Sequence, residues 1–216
     1  MLTIHSFTFN PFSENTYIVY SESKNAFLID PGCFSNTENT ILRDFIKEKS
    51  LKIEKILLTH AHIDHIFGLQ WAFDTYKVPV YLHSEEKEIL DRCPDDARRF
   101  GFEFPAFDGE VNFIKENTSI FLDDNELIIK FVPGHSPGSV AFYCPKQKFI
   151  ISGDVLFYNS VGRTDLYKGS QEKLLESINS QLFTLDDETK VYCGHGKPTT
   201  IIHEKTFNPY VKNINL

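Results

Sequence analysis

The sequence has no long hydrophobic run and no excess of basic residues. Of its 216 residues, 22 are Lys or Arg and 30 are Asp or Glu, which gives a formal net charge of −8. Because a nucleic-acid-binding surface needs a basic face, this balance argues against nucleic acid as a partner. No apolar segment approaches the ~20 residues that span a bilayer, so we expect no insertion into a membrane.

Cysteine is also scarce, and its four copies lie far apart. Cys33, Cys93, Cys144 and Cys193 include no Cys-x-x-Cys pair. Residues 1–5 lack the basic start and the apolar core of a secretory signal peptide. We therefore expect reduced thiols in a cytoplasmic protein.

Hydrophobic residues are plentiful by contrast. They make up 41% of the chain, enough for a sizeable core. The length allows one large domain or two small ones. No linker, fixed-period repeat or low-complexity tract divides the chain. We therefore expect a single domain over residues 1–216.

The pattern of apolar residues predicts both strands and helices. Ser35 and Glu38 form a potential capping box ahead of a helix whose apolar face includes Leu42 and Ile46. Further helices are predicted over 66–76 and from Ser170 to about residue 182. Short β-branched and aromatic runs predict strands at 4–9, 16–20, 26–29, 53–58, 119–122, 127–132, 140–143, 149–151 and 190–193. Residues 92–113, which contain five phenylalanines, are predicted to be irregular and to serve as ordinary packing, a lid or a dimer contact.

The segment His60-Ala61-His62-Ile63-Asp64-His65 carries the strongest chemical signal. It places three imidazoles and one carboxylate within six residues, directly after the apolar run Ile56-Leu57-Leu58. A divalent metal would organise such a cluster, because neutral imidazole and carboxylate suit zinc, iron or manganese. The segment is predicted to lie on a strand-to-helix loop, where sites of α/β proteins usually lie.

Three more polar motifs each follow a predicted strand. They are Pro133-Gly134-His135-Ser136-Pro137-Gly138, Ser152-Gly153-Asp154 and Cys193-Gly194-His195-Gly196. Singly, each is typical of a turn. Together with the first segment they supply seven metal-binding side chains at four strand ends, which indicates a metal site.

These four motifs, in this order, resemble those of the metallo-β-lactamase superfamily, and the resemblance runs from Asn15 to about Tyr210. Within it the chain is most similar to the glyoxalase II-like branch, which is related to hydroxyacylglutathione hydrolase. The segments that carry this second resemblance are 10–17, 30–32, 162–166 and 204–210. The resemblance implies an α/β fold, the αββα sandwich, in which two mixed sheets are flanked by helices.

The resemblance also implies a dinuclear centre. By position, His60, His62 and His135 would hold one divalent ion, Asp64, His65 and His195 a second, and Asp154 would bridge the two. Zinc is the first expectation, with iron or manganese as alternatives. A hydroxide that bridges the ions would attack a thioester carbonyl, and Asp64 would help to orient it. Asp64 and Asp154 are thus the predicted catalytic residues.

Arg163 is the predicted contact for a substrate carboxylate, because a basic residue occupies this place in the glyoxalase II-like branch. The alternative is a structural ion pair with Asp165. Tyr158 and Asn159 are predicted to line the pocket, and Lys197 to be a solvated loop lysine. His5, His83 and His203 have no motif support and are predicted to be surface or structural residues. Asp30 is either a group that orients ligand histidines or a simple turn aspartate.

One departure from the family limits the prediction of substrate. Glyoxalase II has a C-terminal helical region that supplies much of the glutathione contact, and we expect this chain to lack it. The favoured hypothesis is a dinuclear hydrolase of a small-molecule thioester or related ester. The alternatives are a mononuclear iron enzyme resembling persulfide dioxygenases and a binding domain without activity. The physiological substrate, the metal and the oligomeric state stay open.

Overall fold

The computed structural model describes residues 1–211, which form an α/β structure. Its helices are α1 (Asn36–Glu48), α2 (Ile63–Ile66), α3 (Leu69–Tyr76), α4 (Lys87–Arg99), α5 (Gln171–Ser177) and α6 (Ile201–Phe207). Its strands are β1 (Leu2–Phe9), β2 (Glu14–Ser21), β3 (Asn25–Ile29), β4 (Lys52–Leu57), β5 (Val80–His83), β6 (Val111–Ile114), β7 (Ser119–Leu122), β8 (Asn125–Phe131), β9 (Val140–Cys144), β10 (Phe149–Gly153), β11 (Leu156–Phe157), β12 (Ser160–Val161), β13 (Lys190–Cys193) and β14 (Thr199–Thr200).

The chain divides into two compact units. The first comprises Met1–Ile114 with Leu122–Asn125, and the second comprises Lys115–Phe121 with the described residues from Glu126 onward. Each unit has its own hydrophobic core. The expectation of a single domain over 1–216 stays a prediction.

The first unit is built on a mixed sheet with the strand order β1-β2-β3-β4-β5-β6. The pairs β1–β2 and β2–β3 are antiparallel, whereas the pairs from β3 to β6 are parallel. Parallel strands need crossover connections, and α1, α3 and α4 lie in those connections. Leu42 of α1, Leu69 of α3 and Leu90 of α4 pack into the same buried cluster as Leu28 of β3 and Ile56 of β4. Helices therefore cover a face of this sheet.

The second unit is built on a sheet with the order β14-β13-β10-β9-β8-β7. It is also mixed, because β10 and β13 are parallel while β9–β10 and β13–β14 are antiparallel. Leu174 of α5 and Ile178 join its buried core together with Ile150 and Val191. The carboxyl ends of β10 and β13 therefore lie side by side at one edge of the sheet.

Most of the predicted elements are confirmed with shifts of one or two residues at their ends. The capping box is present, because Ser35 Oγ accepts from Glu38 N and the Glu38 carboxylate accepts from Ser35 N. The helix predicted over 66–76 is interrupted at Gly68, between α2 and α3. A side chain there would collide with Cys33, since an added Cβ would lie 2.2 Å from its Sγ. This close approach holds the segment after β3 against the start of α3.

The prediction that residues 92–113 are irregular is wrong at both ends. The first part belongs to α4, which continues to Arg99 despite Pro94, and Val111 begins β6. The buried face of α4 ends in Cys93 and Ala97, side chains too small to stand out as an apolar helical pattern. Within residues 100–110, Phe102, Phe104 and Phe107 pack against the core of the first unit. They therefore serve as ordinary packing.

The longest helices among residues 1–211 are α1 and α4, with 13 residues each. In that part of the chain no helix combines the length and the apolar character needed to cross a bilayer. The compartment stays a prediction.

Candidate functional site

The predicted histidine segment lies between β4 and α2 of the first unit. β4 ends at Leu57, a loop over 58–62 carries His60 and His62, and the short helix α2 carries Asp64 and His65. The ring centroids of His60 and His62 are 4.8 Å apart, and those of His60 and His65 are 4.1 Å apart. His60 and His65 are buried. The first unit therefore brings the three imidazoles together.

Asp30 connects two of these histidines through hydrogen bonds. Thr59 Oγ1 donates to Asp30 Oδ2 over 2.6 Å, so it accepts from Nδ1 of His60 over 3.0 Å. His65 donates from Nδ1 to the same Asp30 oxygen over 3.0 Å, because a carboxylate can only accept. In both rings the lone pair is then on Nε2, which is the form that binds a metal. Asp30 thus has the orienting role that was one of its two predicted roles.

Two buried side chains hold the residue between His60 and His62. Glu86 accepts a hydrogen bond from the main-chain N–H of Ala61 over 2.8 Å, and Cys93 Sγ donates to the Ala61 carbonyl over 3.0 Å. Burial raises the pKa of the Cys93 thiol far above its usual value, which keeps it in the protonated, donating form. Neither Glu86 nor Cys93 was predicted from the sequence, because contacts to the main chain leave no motif.

Asn10 and Glu14 support the loop that follows β3 and the helix that carries Asp64. Asn10 Nδ2 donates to the main-chain oxygens of Gly32 and Asp64 over 2.9 and 2.8 Å. Glu14 lies under Gly32, where an added Cβ would be 2.0 Å from Glu14 Oε2. Burial raises the pKa of Glu14 well above its usual range, against the opposing attraction of His65. Gly32, the third residue of Asp30-Pro31-Gly32, is thus restricted to glycine by close packing.

In the second unit, the loop over 133–138 presents His135. Gly134 has a φ of 140°, and a Cβ there would lie 2.2 Å from Leu174 N, so the chain can approach α5 only without a side chain. The Gly134 carbonyl accepts from Ser170 N over 2.7 Å. His135 Nδ1 donates to the carbonyl of Arg163 over 2.7 Å, which again places the lone pair on Nε2.

Asp154 lies between two histidines of the second unit. It follows β10 and His195 follows β13, so the parallel pairing of these strands brings the two residues to one sheet edge. Asp154 Oδ2 is 3.5 Å from His135 Nε2 and 3.4 Å from His195 Nε2. Two ligands that are each 2.0–2.1 Å from a tetrahedral ion are about 3.4 Å apart. Donor types and spacings therefore both fit metal binding around Asp154.

Arg163 forms a two-pronged ion pair within its own loop. Its Nε and Nη2 donate to the two carboxylate oxygens of Asp165, each over 2.7 Å. This hydrogen bonding raises the pKa of Arg163 and lowers that of Asp165 to about 2. The structure thus shows the ion pair that was the alternative to a substrate contact, and the role of Arg163 in binding stays a prediction.

Tyr158 and Asn159 form the tip of the β11–β12 hairpin. The Tyr158 ring stacks on His203 at a centroid distance of 4.7 Å, and His203 Nε2 lies 2.9 Å from Asn159 Oδ1. Asn159 N donates to Glu204 Oε2 over 3.0 Å. His203 is therefore structural, as predicted, and the predicted pocket role of Tyr158 and Asn159 stays untested.

The other two histidines without motif support have packing or capping contacts. His5 stacks on Phe45 at a centroid distance of 4.1 Å. His83 Nδ1 accepts from Glu85 N over 3.3 Å. Both agree with the predicted surface or structural role.

Comparison with known proteins gives sequence relatives over nearly the whole chain. The family model described as the metallo-beta-lactamase superfamily matches residues 9–195. A protein of Bacillus subtilis named "Probable metallo-hydrolase YqgX" is 38% identical, over 95% of this chain and 96% of its own length. The "Hydroxyacylglutathione hydrolase GloC" of Haemophilus influenzae is 35% identical, over 94% of each chain.

Solved structures with the same fold are also found. The "BLEG-1 B3 metallo-beta-lactamase" has a TM-score of 0.90 and 35% identity, covering 98% of this chain and 100% of its own. "TTHA1623 in a di-iron-bound form" has a TM-score of 0.87 and 35% identity, covering 95% of this chain and 99% of its own. The predicted class, an α/β fold with two mixed sheets flanked by helices, is confirmed. Because the family match includes every histidine and aspartate of the predicted ligand set, the fold and the sequence agree that the chain belongs to the metallo-beta-lactamase superfamily.

Proposed function

We propose that this chain is a metal-dependent thioester hydrolase of the hydroxyacylglutathione hydrolase type, with two divalent ions bound. The observation that carries the proposal is the position of Asp154 Oδ2, 3.5 and 3.4 Å from the Nε2 atoms of His135 and His195. One carboxylate oxygen with an imidazole nitrogen at ligand spacing on either side suits a bridge between two ions. The proposed ligand set is His60, His62 and His135 for one ion, Asp64, His65 and His195 for the other, and Asp154 for both.

The donor chemistry and a relative support a dinuclear centre. Imidazole and carboxylate accept zinc, iron or manganese, and TTHA1623 is described in a di-iron-bound form. When bound, two such ions make hydroxide available near neutral pH and polarise a carbonyl oxygen. The metal in this chain is proposed to be zinc, with iron or manganese as the other candidates.

The protein residues have separate roles in the proposed reaction. Asp30 holds the Nδ1 proton of His65 directly and that of His60 through Thr59. Nε2 of each ring is thereby left to bind a metal ion. Asn10 holds the main-chain oxygen of Asp64. We propose that the Asp64 carboxylate orients the attacking water and accepts its hydrogen bond.

The substrate class rests on the relatives. Members of this superfamily are mostly hydrolases, and GloC, named as a hydroxyacylglutathione hydrolase, matches the chain at 35% identity over 94% of its length. We therefore propose a thioester of a glutathione-like thiol as the substrate.

Metal analysis combined with a substrate panel tests the proposal. Protein purified without added metal is loaded in parallel with zinc, iron or manganese, and the bound metal is counted. Each form is assayed with S-lactoylglutathione, a chromogenic β-lactam, and glutathione persulfide under oxygen, with Asp154→Ala as the matched control. We expect two ions per chain and thioester hydrolysis that Asp154→Ala loses.

Three outcomes would overturn the proposal. One iron per chain with oxygen consumption on the persulfide would favour the mononuclear iron hypothesis. Hydrolysis of the β-lactam without hydrolysis of the thioester would make this chain a β-lactamase, the activity in the name of BLEG-1. A fully loaded protein inactive on all three would leave a binding domain.

A further inference from the structure

Lys197 lies at the edge of the second unit next to the proposed ligand His195. It is two residues further along the chain, after Gly196, whose φ of 73° turns the backbone. The β11–β12 hairpin contacts both positions in succession. The Phe157 ring meets the His195 ring at a centroid distance of 6.1 Å, and the next residue, Tyr158, lies under the Lys197 ammonium. The β11–β12 hairpin therefore holds Lys197 beside the proposed metal ligand His195.

The Lys197 ammonium is held by a ring and not by a carboxylate. Its Nζ is 3.5 Å from the centroid of the Tyr158 ring, a close cation–π contact. Within the described part of the second unit, Lys197 makes no ion pair with a carboxylate. An ammonium has three N–H donors, and a ring face takes up at most part of them. The exposed lysine therefore keeps N–H donors directed toward solvent.

The Tyr158 ring that contacts the Lys197 ammonium is itself held in place by its neighbours. It stacks on His203 with an interplanar angle of 18°. His203 is held in turn by Asn159 Oδ1 at 2.9 Å and packs against Phe207 at a centroid distance of 5.1 Å. The ring that supports Lys197 thus has an orientation set by its neighbours.

Arg163, whose carbonyl accepts from the proposed ligand His135, is already paired with a carboxylate. Arg163 gives two of its donors to Asp165 at 2.7 Å each. An anionic ligand would have to displace Asp165 from the Arg163 guanidinium or share its donors with Asp165. Lys197 has no such competitor within the described part of its unit.

We infer that Lys197, supported by Tyr158, forms the subsite for a carboxylate of the substrate, in place of Arg163. This inference rests on the proposed function, since it names the part of the thioester that is recognised. It assigns Lys197 to substrate specificity, with Tyr158 as the positioning residue.

Two matched substrates test the subsite. S-lactoylglutathione is compared with its diethyl ester, which has the same thioester but no free carboxylate. Lys197→Met should raise KM for the free acid by roughly 10-fold, equivalent to about 1.4 kcal/mol, with kcat nearly unchanged. The effect on the diester should be much smaller. Lys197→Arg should keep the low KM for the free acid. Tyr158→Phe should also keep it, because the aromatic ring remains. Tyr158→Leu should raise that KM, but by less than Lys197→Met does.

Lys190→Met is the control. Lys190 also lies over a ring, 4.6 Å from the Tyr192 centroid, but at the opposite end of β13 from His195. It should leave both KM values unchanged. Equal losses on the two substrates for Lys197→Met, or a selective loss only in Arg163→Ala, would overturn the assignment.

Binding without turnover separates this inference from the proposed function. S-hexylglutathione contains a thioether in place of the thioester, and its affinity and that of its diethyl ester can be measured by calorimetry. The wild-type chain should prefer the free acid, and Lys197→Met should lose that preference. A wild-type chain that hydrolyses neither thioester but shows this preference would refute only the proposed activity. A chain that shows no preference would refute the subsite.

Discussion

Replacement of Asp30 by asparagine tests how the first unit prepares its histidines for metal binding. The buried Asp30 carboxylate accepts from Thr59 N at 2.7 Å, from Thr59 Oγ1 at 2.6 Å and from His65 Nδ1 at 3.0 Å. An asparagine of the same shape presents an NH₂ group on one side, so at least one of these donors meets another donor. A buried donor left without an acceptor costs about 1–3 kcal/mol.

The same change should weaken metal binding. Without the carboxylate, His65 Nδ1 loses the acceptor that lies 3.0 Å away, and the His60 link through Thr59 loses its final acceptor. Loss of such an orienting partner typically reduces metal affinity by about 10- to 100-fold, which corresponds to roughly 1.4–2.7 kcal/mol. We expect this loss in Asp30→Asn, measured on apoprotein by competition with a chromophoric chelator.

Thr59 supplies the matched controls. Thr59→Val removes the acceptor for His60 Nδ1 but leaves the bond between Asp30 and His65, so it should lose less affinity than Asp30→Asn. Thr59→Ser keeps the hydroxyl and should bind metal as the wild type does. A wild-type metal affinity in Asp30→Asn, with the fold intact by circular dichroism, would refute the orienting role.

Three other perturbations have defined expected outcomes. Asp154→Ala should lower bound metal and hydrolysis more than His195→Ala, because Asp154 would hold both ions; near-normal metal content and rate in Asp154→Ala would refute the bridge. Gly134→Ala should lower the free energy of unfolding by about 2–4 kcal/mol in urea denaturation, because of backbone strain and collision with Leu174; an unchanged value would show that the loop relaxes. The pKa of Asp123 is lowered from its ordinary value to about 2, mainly by hydrogen bonds from side chains of β2, β3 and the turn between them. Its contribution to stability is therefore present above pH ~4 and lost as the pH falls toward 2, and Asp123→Asn should flatten that part of the pH dependence of unfolding.

The sequence by itself was sufficient for features that depend on local pattern. Alternating and β-branched runs predicted β1, β2 and β9, and Ser35 with Glu38 predicted the start of α1. The order of the histidine and aspartate motifs indicated the superfamily, which the comparisons then confirmed. These features are readable because the period of apolar residues and the spacing of motifs are properties of consecutive residues.

The tertiary structure decided which side chains support or neutralise those motifs. Glu86 and Cys93 meet Ala61 only because α4 and the turn before it pack against the loop after β4. Arg163 proved to be paired with Asp165, and the lysine predicted to be simply solvated proved to lie on a stacked ring. Such partners are selected by packing between distant segments and by hydrogen bonds to the main chain, and neither leaves a periodic or motif-like trace along the sequence.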